Sequence, residues 1–185
     1  MSKTVLIPLA DGFEEIEAMT MIDVLRRAGA DLTVCSLAEE KTVTGAHGVR
    51  VIADEPLSMV ENCTFDLVAL PGGMPGASNL RASEALTKIL AAQNAHQGLI
   101  GAICAAPAVV LNEIGLLEGK MATAYPGFID TIPEDRRSTD TVVEDGHIVT
   151  SAGPGTAIEF ALRLTTRLFG PAKAAEVSAG MLVVQ

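Results

Sequence analysis

The stretch Leu99 to Glu113, LIGAICAAPAVVLNE, restricts this chain more than any other. Leu99 to Ile103 carries no charge and no strong turn former, the pattern of a strand buried on both faces of a parallel sheet. From Ala105 the period changes: Val109, Val110, Leu111 and Ile114 fall at helical spacing, and Pro107 sits where a first helical turn begins. Cys104 is thereby confined to a tight bend between strand and helix. A nucleophile elbow requires small residues two positions either side of the nucleophile, and Ala102 and Ala106 stand there. Such a bend holds the sulfur at a helix N-terminus, where backbone N–H groups and the helix dipole favour a thiolate. A cysteine closing an apolar strand is also, in many proteins, a small inert hydrophobe. The rest of the chain has to decide between the two.

The remaining segments repeat the alternation. Thr4 to Ala10 reads as a first buried strand, and Ile16, Met19, Ile22 and Leu25 place an amphipathic helix over Phe13 to Ala28. Asp31 to Ala38 is a second strand, with Cys35 in the core, and Lys41 to Asp54 a small hairpin. Pro56 to Asn62 reads as a short helix. Phe65 to Leu70 is a third sheet strand, followed by a long loop from Pro71 through Gly76 and a helix over Ser83 to Gln97. Met121 to Tyr125 is expected to be a strand. Thr141 to Glu144 and His147 to Ser151 flank the hairpin signal Asp145-Gly146, with His96 and His147 expected at the surface. Helices follow over Gly153 to Phe169 and Ala172 to Ser178. Strands alternating with helices over 185 residues predict one domain with the α/β class of fold, a three-layer sandwich on a mostly parallel sheet.

Composition removes several function classes. A net charge of -10 disfavours binding to a nucleic-acid backbone. No secretory leader or membrane span is expected, and three cysteines without metal-like spacing suit reduced thiols in a cytoplasm. Dinucleotide and P-loop fingerprints are absent, so no cofactor and no metal are expected.

Ligands of open α/β sheets bind beyond the carboxyl ends of the strands. Glu14-Glu15-x-Glu17 follows the first strand, Gly72-Gly73 the third, and Cys104 the fourth. Glu17 borders the apolar stripe of its helix, so burial would keep it protonated and able to donate to the sulfur. The pair would then titrate as a unit. First-turn acids are equally common as solvated dipole partners. Gly72-Gly73 is either a simple turn or a source of N–H groups for an oxyanion, together with the N–H of Ala105. The Gly153 to Thr156 segment, with Pro154 inside it, is either a plain cap or a further wall of the same pocket. His47 lies in a loop that could reach the cleft, and no histidine is an evident base for the thiol.

In order along the chain, ADGFEEIE, LPGGMPGASNL, GAICAAP and TSAGPGTAIEFAL resemble the ThiJ/PfpI superfamily, most closely its branch of parkinsonism-associated deglycases and their bacterial relatives. The resemblance spans Val5 to the last helix. It implies a flavodoxin-like sandwich, a homodimer, a nucleophilic Cys104, a protonated partner at Glu17 and oxyanion donors at Gly73 and Ala105, with Glu14 and Gly72 shaping the pocket. Where human-like members carry a histidine before proline, this chain has Tyr125-Pro126, so the pocket lacks that imidazole. His47 falls near a basic loop residue of some relatives, and Ala152 replaces an arginine or polar residue. The implied activity is cofactor-independent conversion of α-oxoaldehydes such as methylglyoxal, or removal of early glycation adducts. The alternatives are a chaperone switched by Cys104 oxidation and, more remotely, a peptidase or amidase.

Overall fold

The structure is a computed structural model and describes residues 2–183. Seven strands form the main sheet: β1 (Thr4–Leu9), β2 (Asp31–Ser36), β5 (Glu55–Pro56), β6 (Leu67–Leu70), β7 (Leu99–Ile103), β8 (Val142–Asp145) and β9 (Ile148–Ser151). Their spatial order is β5-β2-β1-β6-β7-β9-β8. All neighbours run parallel except the edge pair β8/β9, joined by the Asp145-Gly146 turn. The strands β3 (Thr42–Thr44) and β4 (Arg50–Ile52) form a separate hairpin.

The central strands are apolar because both their faces are covered. Residues 5–9 of β1 and all of β6 and β7 are buried. Helices α1 (Glu15–Arg27), α4 (Ala157–Phe169) and α5 (Pro171–Gly180) pack as one layer. Helices α2 (Gly76–Ala82) and α3 (Glu84–Ala95) pack with the Pro107–Asn112 turn as the other. This is the α/β sandwich expected from the alternation. Phe13 and Phe160 are the largest fully buried side chains in a core that is otherwise mainly aliphatic. No helix among the described residues is long and apolar enough to cross a membrane.

Four expectations need correction. The loop after Gly73 is not irregular throughout: residues 76–82 form α2, since Pro75 leads into the helix as its N-cap. Met121 to Tyr125 is not a strand; a single bridge, Ala122 to Arg137, is all that it makes. The segment after Cys104 forms a six-residue π-helix rather than an α-helix, and such turns recur at functional sites. His147, in the turn just before β9, is buried, 6% exposed, and its Nε2 lies 2.8 Å from Asn94 Oδ1 of α3. Burial, then the charges of Lys120 and Arg167, hold its pKa below the usual histidine range.

The chain turns from β1 outward to β2, then returns to place β6 on the other side of β1. That reversal opens a crevice at the carboxyl edge, where such sheets bind ligands.

Candidate active site

Cys104 follows β7 with φ of +65°, a left-handed conformation that costs a non-glycine residue about 1–3 kcal/mol. Its N–H donates to Ser151 O at 2.8 Å, and its carbonyl accepts from Tyr125 N at 2.8 Å. The neighbouring chain therefore fixes the bend on both sides. Ala102, Ala105 and Ala106 are buried around it, as the small-residue spacing requires. The thiol-bearing residue itself keeps 8% of its surface.

Glu17, on the first turn of α1, is fully buried. Its Oε2 accepts from Gly72 N at 2.7 Å, while Oε1 has no hydrogen-bond partner among the described residues. A buried carboxylate oxygen without a donor is costly, whereas a carboxylic acid there can offer a proton to the adjacent thiol. Burial accordingly pushes Glu17 up to about 7, with the Glu14 charge adding to it; the Gly72 N–H and the Cys104 thiol work in the opposite direction.

Gly72 separates the two groups. A Cβ there would lie 2.7 Å from Cys104 Cβ and 2.9 Å from Glu17 Oε2, so any side chain would force them apart. Gly73 follows with φ of +87°, and a Cβ on it would stand 2.4 Å from Glu14 N. The backbone N–H groups of Gly73 and Ala105 face the sulfur and favour its ionised form. They do not prevail. Burial first, then the Glu17 charge, push the Cys104 thiol up to about 12. Burial and the neighbouring acid thus oppose the thiolate expected at a helix N-terminus, and the two groups titrate as a coupled pair.

Beside this centre, Glu14 caps α1, its Oε1 accepting from Ile16 N at 3.5 Å. Glu15 is a residue to which the sequence reading gave no separate role. Its carboxylate accepts from His47 N at 2.7 Å and lies 2.8 Å from His47 Nδ1, pinning the β3/β4 hairpin to the start of α1. Burial opposes its ionisation, but the His47 side-chain bond and the N–H groups of His47 and Val49 outweigh burial and hold Glu15 below the usual range. The bond to Glu15, then the charges of Glu14 and Glu15, raise His47. Glu14, Glu15 and His47 bring one ligand atom each within 4.8 Å of one another, the one such cluster found among the described residues. Tyr125, whose N–H donates to Cys104 O, is 45% exposed, and Pro154 opens the turn (Pro154–Thr156) leading into α4. A cavity of about 780 Å³ lies at the opposite, amino edge, lined in part by Lys3, Cys63, Asp66 and Gln93; none of the elbow residues reaches it.

The arrangement is a buried carboxyl and a thiol either side of a glycine. The fold that carries it is shared with known proteins. The chain matches the DJ-1/PfpI family over residues 3–167. It is 46% identical over 187 residues to Protein DJ-1 homolog A of Arabidopsis thaliana, covering 98% of this chain and 47% of the relative. It thus spans about half the length of that protein. A Caenorhabditis elegans protein named glutathione-independent glyoxalase DJR-1.2 is 38% identical over 174 residues, covering 93% of this chain and 91% of the relative. The structure of Toxoplasma gondii DJ-1, oxidized, superposes with a TM-score of 0.98 at 48% identity, over 100% of both chains.

Proposed function

The chain belongs to the DJ-1/PfpI family, and from that premise we propose that it converts α-oxoaldehydes such as methylglyoxal into 2-hydroxy acids, with no glutathione and no cofactor. The observation that carries this reading is the juxtaposition of Cys104, on its strained bend, with the buried acid Glu17 across Gly72. The similarity to a relative named as a glutathione-independent glyoxalase supports it.

Glu17, poised at about 7, is matched to proton transfer at neutral pH. The Cys104 thiol passes its proton to the Glu17 carboxylate as the sulfur attacks the aldehyde carbon. Negative charge moves to the aldehyde oxygen, where the Gly73 and Ala105 N–H groups offset it, and protonation gives a hemithioacetal. Glu17 then removes the hydrogen of that carbon as a proton, the electron pair forms an enediol, and a proton returns to the neighbouring carbon. The aldehyde carbon is oxidised to a thioester and the ketone carbon reduced to an alcohol, so no external oxidant is needed. Water cleaves the thioester to a hydroxy acid and the free thiol. On a hemiaminal adduct of methylglyoxal the sulfur would instead displace the amine, the C–N bond breaking as the C–S bond forms and the amine leaving with a proton from Glu17, to give the same hemithioacetal.

The test is lactate formation from methylglyoxal in glutathione-free buffer. Catalysed lactate release is the expected result; consumption of methylglyoxal without lactate would overturn the reading.

Ile16, Val49 and Ile52 are 58%, 51% and 77% exposed, and Glu15, the chain neighbour of Ile16, accepts from Val49 N at 3.4 Å. We propose this apolar surface as the contact of a homodimer. Light scattering should return twice the 19.2 kDa chain mass, and the pair Ile16→Lys with Ile52→Lys should return the single chain. A wild-type mass of one chain would remove the proposal. Three free thiols suit a reducing cytoplasm.

A further inference from the structure

We propose that the cavity at the amino edge of the sheet is a second binding site, for a carboxylated peptide thiol of the glutathione class, and that Cys63 on its wall takes this ligand as a mixed disulfide. The site is independent of the elbow chemistry.

The cavity encloses about 780 Å³, within the size range of small-molecule sites. Its wall includes Cys63 and Phe65 from the approach to β6, Lys88 and Gln93 from α3, and Gly98 and Leu99 at the start of β7. Gln93 is 7% exposed, and its Nε2 donates to Phe65 O at 3.0 Å and to Leu99 O at 3.1 Å, so both amide hydrogens are spent. Gly98 leaves room for this clamp, since a Cβ there would lie 2.5 Å from Gln93 Nε2. Two carbonyl partners fix the orientation of the amide, and Oε1 is left an acceptor with no donor among the described residues. The fully enclosed side-chain atoms without a partner among those residues are Glu17 Oε1 and His147 Nδ1. Gln93 Oε1 is therefore open to space, and the space that Gln93 borders is this cavity. A ligand N–H can satisfy it.

Charge supplies the second part of the recognition. The chain carries -10 overall, yet the wall holds Lys3, Lys88 and Arg167 against Glu61 and Asp66. Lys3 is paired with Asp66 at 2.9 Å, and Arg167 with Glu144. Lys88 is exposed and has no ion pair among the described residues, so it can take a carboxylate. Cys63 is the third part: of the three free thiols it alone is exposed. A peptide thiol with amide N–H groups and a carboxylate at either end matches acceptor, cation and sulfur together.

The exchange balances. The Cys63 thiolate attacks one sulfur of glutathione disulfide, and the new S–S bond forms as the old one breaks. Free glutathione leaves and takes up the proton that Cys63 released. Cys63 is oxidised and the departing sulfur reduced, so the disulfide is itself the oxidant.

The experiment measures exchange at Cys63 of the whole chain, by peptide mass, with glutathione disulfide and separately with cystamine, a disulfide that carries amines and no carboxylate. The glutathione-to-cystamine rate ratio is expected to be about fivefold higher in the folded protein than in the same chain unfolded in urea. It should fall about threefold in Lys88→Glu and hold within about twofold in Lys88→Arg. S-methylglutathione, a thioether that cannot exchange, should slow alkylation of Cys63 by iodoacetamide. A folded ratio equal to the unfolded one, a ratio indifferent to Lys88→Glu, or alkylation unslowed by S-methylglutathione would overturn the site. Cys104→Ser should give the same ratios as wild type, which separates this site from the elbow.

Discussion

Lactate formation from methylglyoxal should fall by about a thousandfold or more in Cys104→Ser. The change replaces one atom, leaving the volume of the bend nearly unaltered. Serine meets the same left-handed backbone at +65°, so the strain is common to both proteins. Acidity is what differs. Glu17, at about 7, can accept a proton from a thiol whose unperturbed pKa is about 8.5, and the part of the rise that comes from the Glu17 charge is relieved as Glu17 becomes neutral. A serine hydroxyl is many orders of magnitude less acidic than a thiol. Initial rates of lactate release, with unfolding curves to verify an intact fold, check this expectation. A variant within tenfold of wild type would show that the sulfur is not the nucleophile.

Glu17→Gln should change how stability depends on pH. Glu17 has a folded pKa of about 7 against 4.5 for the free side chain, so the folded state holds this proton over a range in which the unfolded chain has lost it. The contribution is complete below about pH 4.5 and fades as pH rises through 7, approaching about 3 kcal/mol in total. Glutamine keeps the acceptor for Gly72 N–H and has no proton to lose. Between pH 5 and pH 8 the urea midpoint of wild type should therefore drop relative to that of Glu17→Gln. Every other titrating group is common to both chains, so the difference reports Glu17 together with the thiol it is coupled to. A constant gap across that window would mean that Glu17 is ionised throughout.

Much of this site could be read from residue order because strand ends carry the message. Cys104, Gly72 and Glu17 each follow a buried apolar run, and a parallel sheet must bring such ends to one edge. The Glu15–His47 pin was not separable from ordinary first-turn acidity, since its partner lies 32 residues away across a hairpin. Met121 to Tyr125 looked like a strand from its composition, but it pairs at a single bridge, and tertiary context decides such cases. His147 seemed a surface residue because it follows a turn; its burial depends on Asn94, from a distant helix. The electrostatic state of Cys104 was legible only in sign-conflicting parts. Donors and dipole are visible in sequence, whereas the dryness that outweighs them is a property of the packed fold.

Gly72, Glu17 and Cys104 arrive from three crossovers separated by dozens of residues, and they meet only around the middle of the sheet. Their meeting is therefore a long-range event that requires these strands to be in place. A chain still being synthesised carries an unremarkable cysteine with the chemistry of any free thiol. Its labelling profile against pH would change only when β1, β6 and β7 have docked, so this sulfur can serve as a built-in clock for maturation of the central sheet.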